Sequence, residues 1–301
     1  MDDNPRLCGA GILPFTLDPS GKIYFLLAKE RYVPHWRGSS RWSGFEGGAK
    51  SAGETEVGNA VREFLEESMG ILGIGEDALN VRLRGGDFAM KVNMLTEGRS
   101  AGRSLHVTYV LRVPWDPDVA TRFHCVRQEL LALQQLGETI RSIKIPRRYP
   151  FLLEGDRVCI GGRVSYIQRV NSVEISRSFM RTHVTLCDGT PRRMSYAIPA
   201  HQMTAAGGYE AFFNLTTRAT QLYGELVQKV PRDCIHATLG ASGRVVDIHI
   251  NIDFLEKACI RLWALDELMD ITQNREMTSD VFRPYFVICL KAVLERFRKA
   301  L

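Results

Sequence analysis

The stretch from Gly47 to Gly70, GGAKSAGETEVGNAVREFLEESMG, constrains this chain more than any other. It is a glycine-rich turn feeding a helix whose polar side is almost all carboxylate. Thr55 is placed to cap that helix, with Glu54 and Glu56 near the positive end of its dipole. Residues three and four apart are neighbours on a helix, so Val57, Val61, Phe64 and Ser68 share one side and Glu63, Glu66 and Glu67 another. Carboxylates packed this closely repel by a few tenths of a kcal/mol per exposed pair unless a cation sits among them. Hard divalent ions such as Mg²⁺ take oxygen ligands of this kind, keep several waters and bridge to phosphates.

Glu54 and Arg62 hold fixed places ahead of the three glutamates, and Gly47 and Gly48 let the backbone turn tightly beside them. The arrangement resembles the Nudix box, G-x5-E-x7-R-E-U-x-E-E-x-G-U, where U is a bulky apolar residue. Gly48, Glu54, Arg62, Glu63, Phe64, Glu66 and Glu67 match it. Met69 departs from it: the pattern has glycine there, and Gly70 comes one place late. The expectation is a helix one residue longer, with Gly70 as its left-handed cap.

The resemblance implies an α/β (α+β) chain, a Nudix α/β/α sandwich around a mixed sheet, acting as a divalent-metal-dependent pyrophosphohydrolase. In that family the box helix holds divalent cations, and water attacks phosphorus in a nucleoside diphosphate linked to another group. Carried over residue by residue, Glu63, Glu66 and Glu67 become ligands of Mg²⁺ or Mn²⁺, with the Gly47 carbonyl a further one. Glu54 and Arg62 serve the catalytic site by holding loop and helix together through a salt bridge. Glu256, just before a strand at Ile260, is the first candidate for the general base because that connection lies over the metal site in relatives. Glu67 is the second.

With 301 residues, the chain has room for one elaborated domain or two small ones. No apolar run approaches the roughly 20 residues that span a bilayer, so no membrane partner is expected. The start, MDDNPRLCGAG, is acidic with no apolar stretch behind it, which argues against a secretory signal. The seven cysteines are scattered and form no C-x-x-C pair, which argues against structural zinc and for a reducing compartment, the cytoplasm or the nucleus. Most are expected to be small buried apolar residues.

Gly9–Phe15 and Ile23–Lys29 read as a β-hairpin about the turn DPSG, and Arg41–Phe45 as a short strand. After the box helix, Asp87–Met94 and Ser104–Val113 form a second hairpin. The fold then resumes late, with a strand at Ile260–Trp263, a short helix or turn at ALDELMD and a closing helix at Arg283–Leu301. Residues 1–117 plus 246–301 are therefore assigned to the Nudix domain and 118–245 to an inserted helix and β-rich subdomain. Within the insertion, helices are expected at Pro117–Ser142 and Tyr209–Val230, and Val245–Ile252 is a strand leading back. Between the helices lie short strands at Arg157–Ile160, Arg163–Gln168, Ser172–Ile175, His183–Leu186 and Arg193–Ile198, a small barrel or an antiparallel sheet.

Net charge is +5, yet residues 141–200 hold eleven Lys and Arg against four Asp and Glu. Arg141, Lys144, Arg147, Arg148, Arg163, Arg169, Arg177, Arg181, Arg192 and Arg193, interleaved with Tyr149, Phe151, Tyr166 and Phe179, suit a phosphate backbone with rings for bases. The same residues also suit a salt-bridged face, a subunit contact or a clamp for a highly phosphorylated small molecule. For the non-phosphate part of a substrate, Trp36, Trp42 and Phe45 are stacking candidates, and Lys29, Arg31 and Lys50 are phosphate contacts. The histidines show no metal-ligand spacing and read as surface or core residues.

The reading is a hydrolase of a nucleotide derivative, with capped RNA the sharper substrate and small nucleotide derivatives the broader one. The alternative is a non-catalytic Nudix-fold module that binds a nucleotide or RNA. Three mutually repelling carboxylates speak against the module. An isoprenoid diphosphate isomerase, another activity of this fold, needs a placed cysteine and acid that no cysteine here matches.

Overall fold

A computed structural model describes residues 5–51, 53–97, 103–143, 152–160, 162–176, 179–197, 203–240, 243–274, 278 and 280–300. Of the basic segment, Lys144, Arg147, Arg148, Tyr149, Phe151 and Arg177 lie outside the described residues. The chain divides into two compact units: Met1–Arg127 with Lys229–Cys234 and Asn251–Leu301, and Gln128–Gln228 with Ile235–Ile250.

The first unit is of the α/β class, built on a mixed seven-stranded sheet. Its strands are β1 (Arg6–Leu17), β2 (Ile23–Glu30), β3 (Trp42–Ser43), β4 (Phe45–Gly48), β5 (Met90–Glu97), β6 (Arg103–Arg112) and β13 (Lys257–Ala264). The order is β13-β2-β1-β6-β5, with β3 added to β2 and β4 to β1. β1 and β6 run parallel and the other pairs antiparallel, which makes the sheet mixed. The Asp18 carboxylate accepts backbone N–H groups of Ser20 and Lys22, both at 2.9 Å, and closes the β1–β2 turn.

Alternation along β1 sends neighbouring side chains to opposite faces. On one face Leu13 and Phe15 join Phe25 and Leu27 of β2 beneath Phe286, Leu290, Val293 and Leu294 of the closing helix α6 (Pro284–Ala300). On the other lies the box helix α1 (Glu56–Ser68), where Phe64 meets Phe45 of β4 edge-on at 5.5 Å between ring centroids. The short helix α5 (Leu265–Gln273) follows β13 at the expected place. A further helix, α2 (Glu76–Arg84), was not anticipated; its signal is weak, two acids in the first turn, two arginines in the last, and only Leu79 and Leu83 buried.

The second unit begins within helix α3 (Val119–Ser142). It contains four strands, β7 (Arg157–Ile160), β8 (Arg163–Ser176), β9 (Phe179–Leu186) and β10 (Pro191–Ala197), in an antiparallel sheet ordered β10-β9-β8-β7, with a helix α4 (Met203–Leu226) and a two-stranded ribbon, β11 (Ile235–Leu239) with β12 (Val245–Ile250). Tyr209 and Phe213 of α4 pack on one face, against Val158, Ile167, Val170, Val173, Met180, Val184 and Leu186. The two expected strands at 163–168 and 172–175 are one long strand, β8 (Arg163–Ser176), irregular at Ile167/Arg169 and Val170/Ser172. Those bulges break the alternation that sequence reading relies on.

Two expectations are corrected. Cys8, Cys125, Cys159 and Cys187 are exposed, and only Cys234 and Cys289 are buried, so most of the seven are not core residues. Helix α1 also does not gain a residue: Thr55 caps its start as expected, but Met69 itself takes the left-handed conformation at φ 53°, and Gly70 follows at φ +67°. A side chain in this conformation costs about 1–2 kcal/mol. Met69 is fully buried, which offsets the cost, because truncating a buried methionine loses about 2–5 kcal/mol. Among the described residues no helix is long and apolar enough to cross a membrane.

This balance sets a direction for Met69→Gly. Restoring the glycine of the box pattern should destabilise the protein by about 1–3 kcal/mol in urea unfolding, as lost burial outweighs relieved strain. A stabilised variant would mean that backbone strain dominates.

Candidate functional site

The site is built where β4 runs antiparallel to β1, pairing Gly48 with Gly9, Gly47 with Ala10 and Glu46 with Gly11. Gly11 has no room for a side chain, since a Cβ there would stand 2.2 Å from the Cβ of Glu46. A Cβ on Gly47 would stand 2.3 Å from the Glu63 carboxyl carbon, so the missing side chain is what admits that carboxylate to the turn. Asn59 ties helix to turn: its Oδ1 accepts from the Ala10 backbone N–H, and its Nδ2 donates to the Gly48 carbonyl at 3.0 Å.

The acidic face of α1 is buried rather than solvated: Glu63, Glu66 and Glu67 are only 7%, 6% and 3% exposed. Arg62 sits across it. Its Nε donates to Glu54 at 2.8 Å, its Nη1 contacts Glu63 at 2.7 Å and Glu66 at 2.8 Å, and its Nη2 donates to the Gly48 carbonyl at 3.0 Å. The expected Glu54–Arg62 pair is present, and Arg62 also serves both other carboxylates. Lys50 bridges Glu66 at 2.9 Å and Asp253 at 2.8 Å.

Glu67 faces inward to partners that sequence reading missed. Lys257, with a fully buried side chain, contacts Glu67 Oε1 at 2.9 Å and Glu30 Oε1 at 2.5 Å, and donates to Ser43 Oγ at 3.0 Å. Glu30 also receives Arg283 at 2.9 Å, and Glu67 Oε2 accepts the Glu46 backbone N–H at 2.8 Å. Beside them, the buried pair Glu46 and His106 meets at 3.3 Å.

Burial pushes the Glu63 carboxyl up to about 7, against the pull of Arg62, and nearby Glu66 and Glu256 add to the rise. Burial likewise raises Glu67 well above the carboxylate range, with Lys257 opposing and Glu30 and Glu63 reinforcing. Burial also raises Glu256. Lys257 would be lowered by burial, but Glu67 and Glu30 outweigh this and hold it above the ordinary lysine value. For Glu46, burial is outweighed by the His106 hydrogen bond and charge, with Arg283 and Lys257 helping, and the carboxyl lies below its usual range. Among the described residues, eight carboxyls (Glu30, Glu46, Glu54, Glu63, Glu66, Glu67, Asp253 and Glu256) face five cations (Arg31, Lys50, Arg62, Lys257 and Arg283) and His106.

The oxygen-only donor set of Glu63, Glu66, Glu67 and the Gly47 carbonyl suits a hard divalent ion in kind, and the absence of a side chain at Gly47 lets the Glu63 carboxylate lie against that turn. Among the described residues no three acidic, histidine or cysteine side chains converge as metal ligands; Glu63 and Glu66 turn to Arg62.

Of the other expected site residues, Glu256 is half-buried at the end of a short 3₁₀ turn (Ile252–Leu255), and its carbonyl accepts the Arg31 backbone N–H at 2.9 Å. Trp42 is half-buried, edge-on to Trp263 at 5.3 Å, and Trp36 is 41% exposed with the Arg283 guanidinium 5.5 Å from its ring centroid. Phe45 is a correction: it is 0% exposed and packed on Phe64, so it is core and offers no face for stacking. The Lys50 ammonium, expected on phosphate, lies on Glu66 and Asp253.

No protein-family model and no curated protein matches the chain. Among solved structures, a Nudix hydrolase from M. smegmatis, RenU, is similar at 18% identity, covering 38% of this chain and 64% of its own, with a TM-score of 0.25. An Ap4A hydrolase from C. elegans, solved as a binary complex, is similar at 24% identity, covering 36% of this chain and 67% of its own, with a TM-score of 0.24. The match therefore spans about two thirds of each of those proteins.

Arg62 is the test of how the site is held. Arg62→Met strands Glu54, Glu63 and Glu66 and should cost about 2–4 kcal/mol in urea unfolding, as for a buried pair broken from one side. Glu54→Gln, which removes one charge and leaves Arg62 two carboxylates, should cost about 1 kcal/mol. Equal losses would show that the single pair with Glu54 carries the effect.

Proposed function

We propose that this protein hydrolyses a phosphoanhydride bond in a nucleoside diphosphate linked to another group. Glu63, Glu66 and Glu67, with the Gly47 carbonyl, would hold Mg²⁺ or Mn²⁺. The observation carrying this reading is the buried carboxylate face of α1, short of countercharge and opposite a glycine without which Glu63 could not enter the turn. A bound cation of this kind neutralises the diphosphate, polarises phosphorus and lowers the pKa of the attacking water.

The chain's own groups supply the rest. Arg62 and Glu54 fix the turn against the helix. Glu256, half-buried and with a raised carboxyl, is suited to take a proton from water, because a base works best with a pKa near the working pH. Arg31 and Lys50 are the cations for phosphate oxygens, and Trp36 and Trp42 the rings for the remaining group. Substrate placement follows from these rather than from Phe45.

Capped RNA is the finer substrate reading. Its support is the sheet face of the second unit turned away from α4. Cross-strand pairing puts Arg157 beside Tyr166, Arg193 beside His183, and Arg181 between Ser195 and Glu174 on that face. Tyr166 and Phe179 are 51% and 52% exposed there. A shallow hollow of about 470 Å³ is lined by Asn171, Ser172, His183, Arg192 and Arg193. Arginines interleaved with exposed rings suit a single strand, phosphates on the former and bases on the latter. A non-catalytic binding module is the rival, and it would gain nothing from burying mutually repelling carboxylates.

A panel of m7G-capped RNA, free cap dinucleotide, ADP-ribose, NADH, diadenosine polyphosphates and nucleoside triphosphates, assayed with Mg²⁺ and Mn²⁺, tests the reading. Glu66→Gln and Glu67→Gln should each lower turnover more than about 100-fold, beyond the 10–100-fold typical of outer-shell partners. Tight binding with no metal-dependent turnover on any member would establish the module instead. Replacing Arg157, Arg181 and Arg193 together by Ser should weaken capped-RNA binding and reduce its salt slope by about one per arginine, leaving free cap turnover unchanged. An unaltered RNA affinity would remove the second unit from substrate recognition.

A further inference from the structure

Lys257 is a fully buried lysine far from the box in sequence. It has three partners: Glu30, 227 positions away, Ser43, 214 positions away, and Glu67 on the box helix. A lysine placed only to neutralise Glu30 would be redundant, because Arg283 already contacts the same oxygen at 2.9 Å. What Lys257 adds is its contact with Glu67. A carboxylate offers about four lone-pair sites. Lys257 takes one on Oε1 and the Glu46 backbone N–H one on Oε2, so the carboxylate is held from both ends with one lone pair left on each oxygen.

We propose that Lys257 is a positioning residue for the cation site, clamping Glu67 between the start of β13 and the turn at Glu46 so that its free lone pairs serve a divalent ion. The proposal rests on the hydrolase reading above and extends it. Glu67 in this clamp is a ligand, and proton abstraction falls to another carboxyl. Ser43 completes the device: its hydroxyl accepts from Lys257 and donates to Glu30 Oε1 at 3.0 Å, fixing the lysine's direction. Because Lys257 directly follows Glu256, the same short segment delivers the clamp and the candidate base.

The test measures Mn²⁺ binding directly, by electron paramagnetic resonance of free Mn²⁺, alongside circular dichroism, urea unfolding and steady-state kinetics. Lys257→Met alone leaves Glu67 without its cation and Glu30 with Arg283 only, so Lys257→Met with Glu30→Gln is made beside it to keep the net charge balanced. With folding intact, either variant should bind Mn²⁺ about 10–100-fold more weakly than wild type and lose kcat with KM little changed, the loss typical of an outer-shell partner. Wild-type Mn²⁺ affinity in a folded double variant would overturn the proposal and leave Lys257 a purely structural ion pair. Absence of Mn²⁺ binding in the wild-type protein would instead overturn the hydrolase reading on which it rests.

Discussion

Burying three carboxylates on one face of one helix is the interaction on which the rest of the first unit depends. Each ion taken out of water carries a penalty of several kcal/mol, recovered only with good geometry and full hydrogen bonding. The surroundings of α1 follow from that demand. Arg62 spans Glu54, Glu63 and Glu66, Lys50 reaches Glu66 from the turn, and Lys257 reaches Glu67 from the last third of the chain. Gly11 and Gly47 are bare because β4 and Glu63 need the space. Even so, the carboxyls outnumber their cations, and Glu63 and Glu67 are raised chiefly by burial, with neighbouring carboxylates adding to it.

How much of this was legible in the sequence depended on spacing. Residues that act through helical periodicity could be read: Glu54, Arg62, Glu63, Glu66 and Glu67 stand at fixed intervals, and the Arg62 contact with Glu66 is an i,i+4 pair. Glu30, Glu46, Asn59, His106, Lys257 and Arg283 could not. Each looks like an ordinary polar residue until segments far apart in sequence are laid side by side, as in the Ala10–Asn59, Glu46–His106 and Glu30–Arg283 contacts at separations of 49, 60 and 253. The one available hint was Lys257 at the head of the largely apolar strand KACIRLWA, where a buried lysine implies a buried partner. Phe45 was misassigned for the opposite reason: an aromatic beside a glycine turn suits a binding ring and a core ring equally, and only its contact with Phe64 decides.

Local signals failed where the backbone departs from the regular. The bulges of β8 split one strand into two apparent ones, and β11, five residues with only Ile235 buried, has no alternation to read. At Met69 the pattern suggested a shifted glycine cap, whereas the structure keeps the helix length and accepts a left-handed methionine. A left-handed residue ends the helix without being glycine, because a buried side chain can offset a strained backbone.

The placement of Lys257 also bears on how the first unit tolerates so long an excursion between β6 and β13. Lengthening a connection costs only about 0.6 kcal/mol per doubling, so the length itself is a small burden. The harder requirement is that β13 return in the right register, since a slip of one residue would turn every side chain to the opposite face. Lys257 stands opposite Glu30 at the start of the ladder, with an irregularity before Cys259 resumes the pairing. In any slipped register Glu30 would keep only Arg283, and the ammonium would be buried away from Glu67, leaving those two charges uncompensated. The contact that holds Glu67 therefore also selects the alignment of edge strand β13 on β2, and a substitution that frees Glu67 should loosen β13 before it disturbs α1.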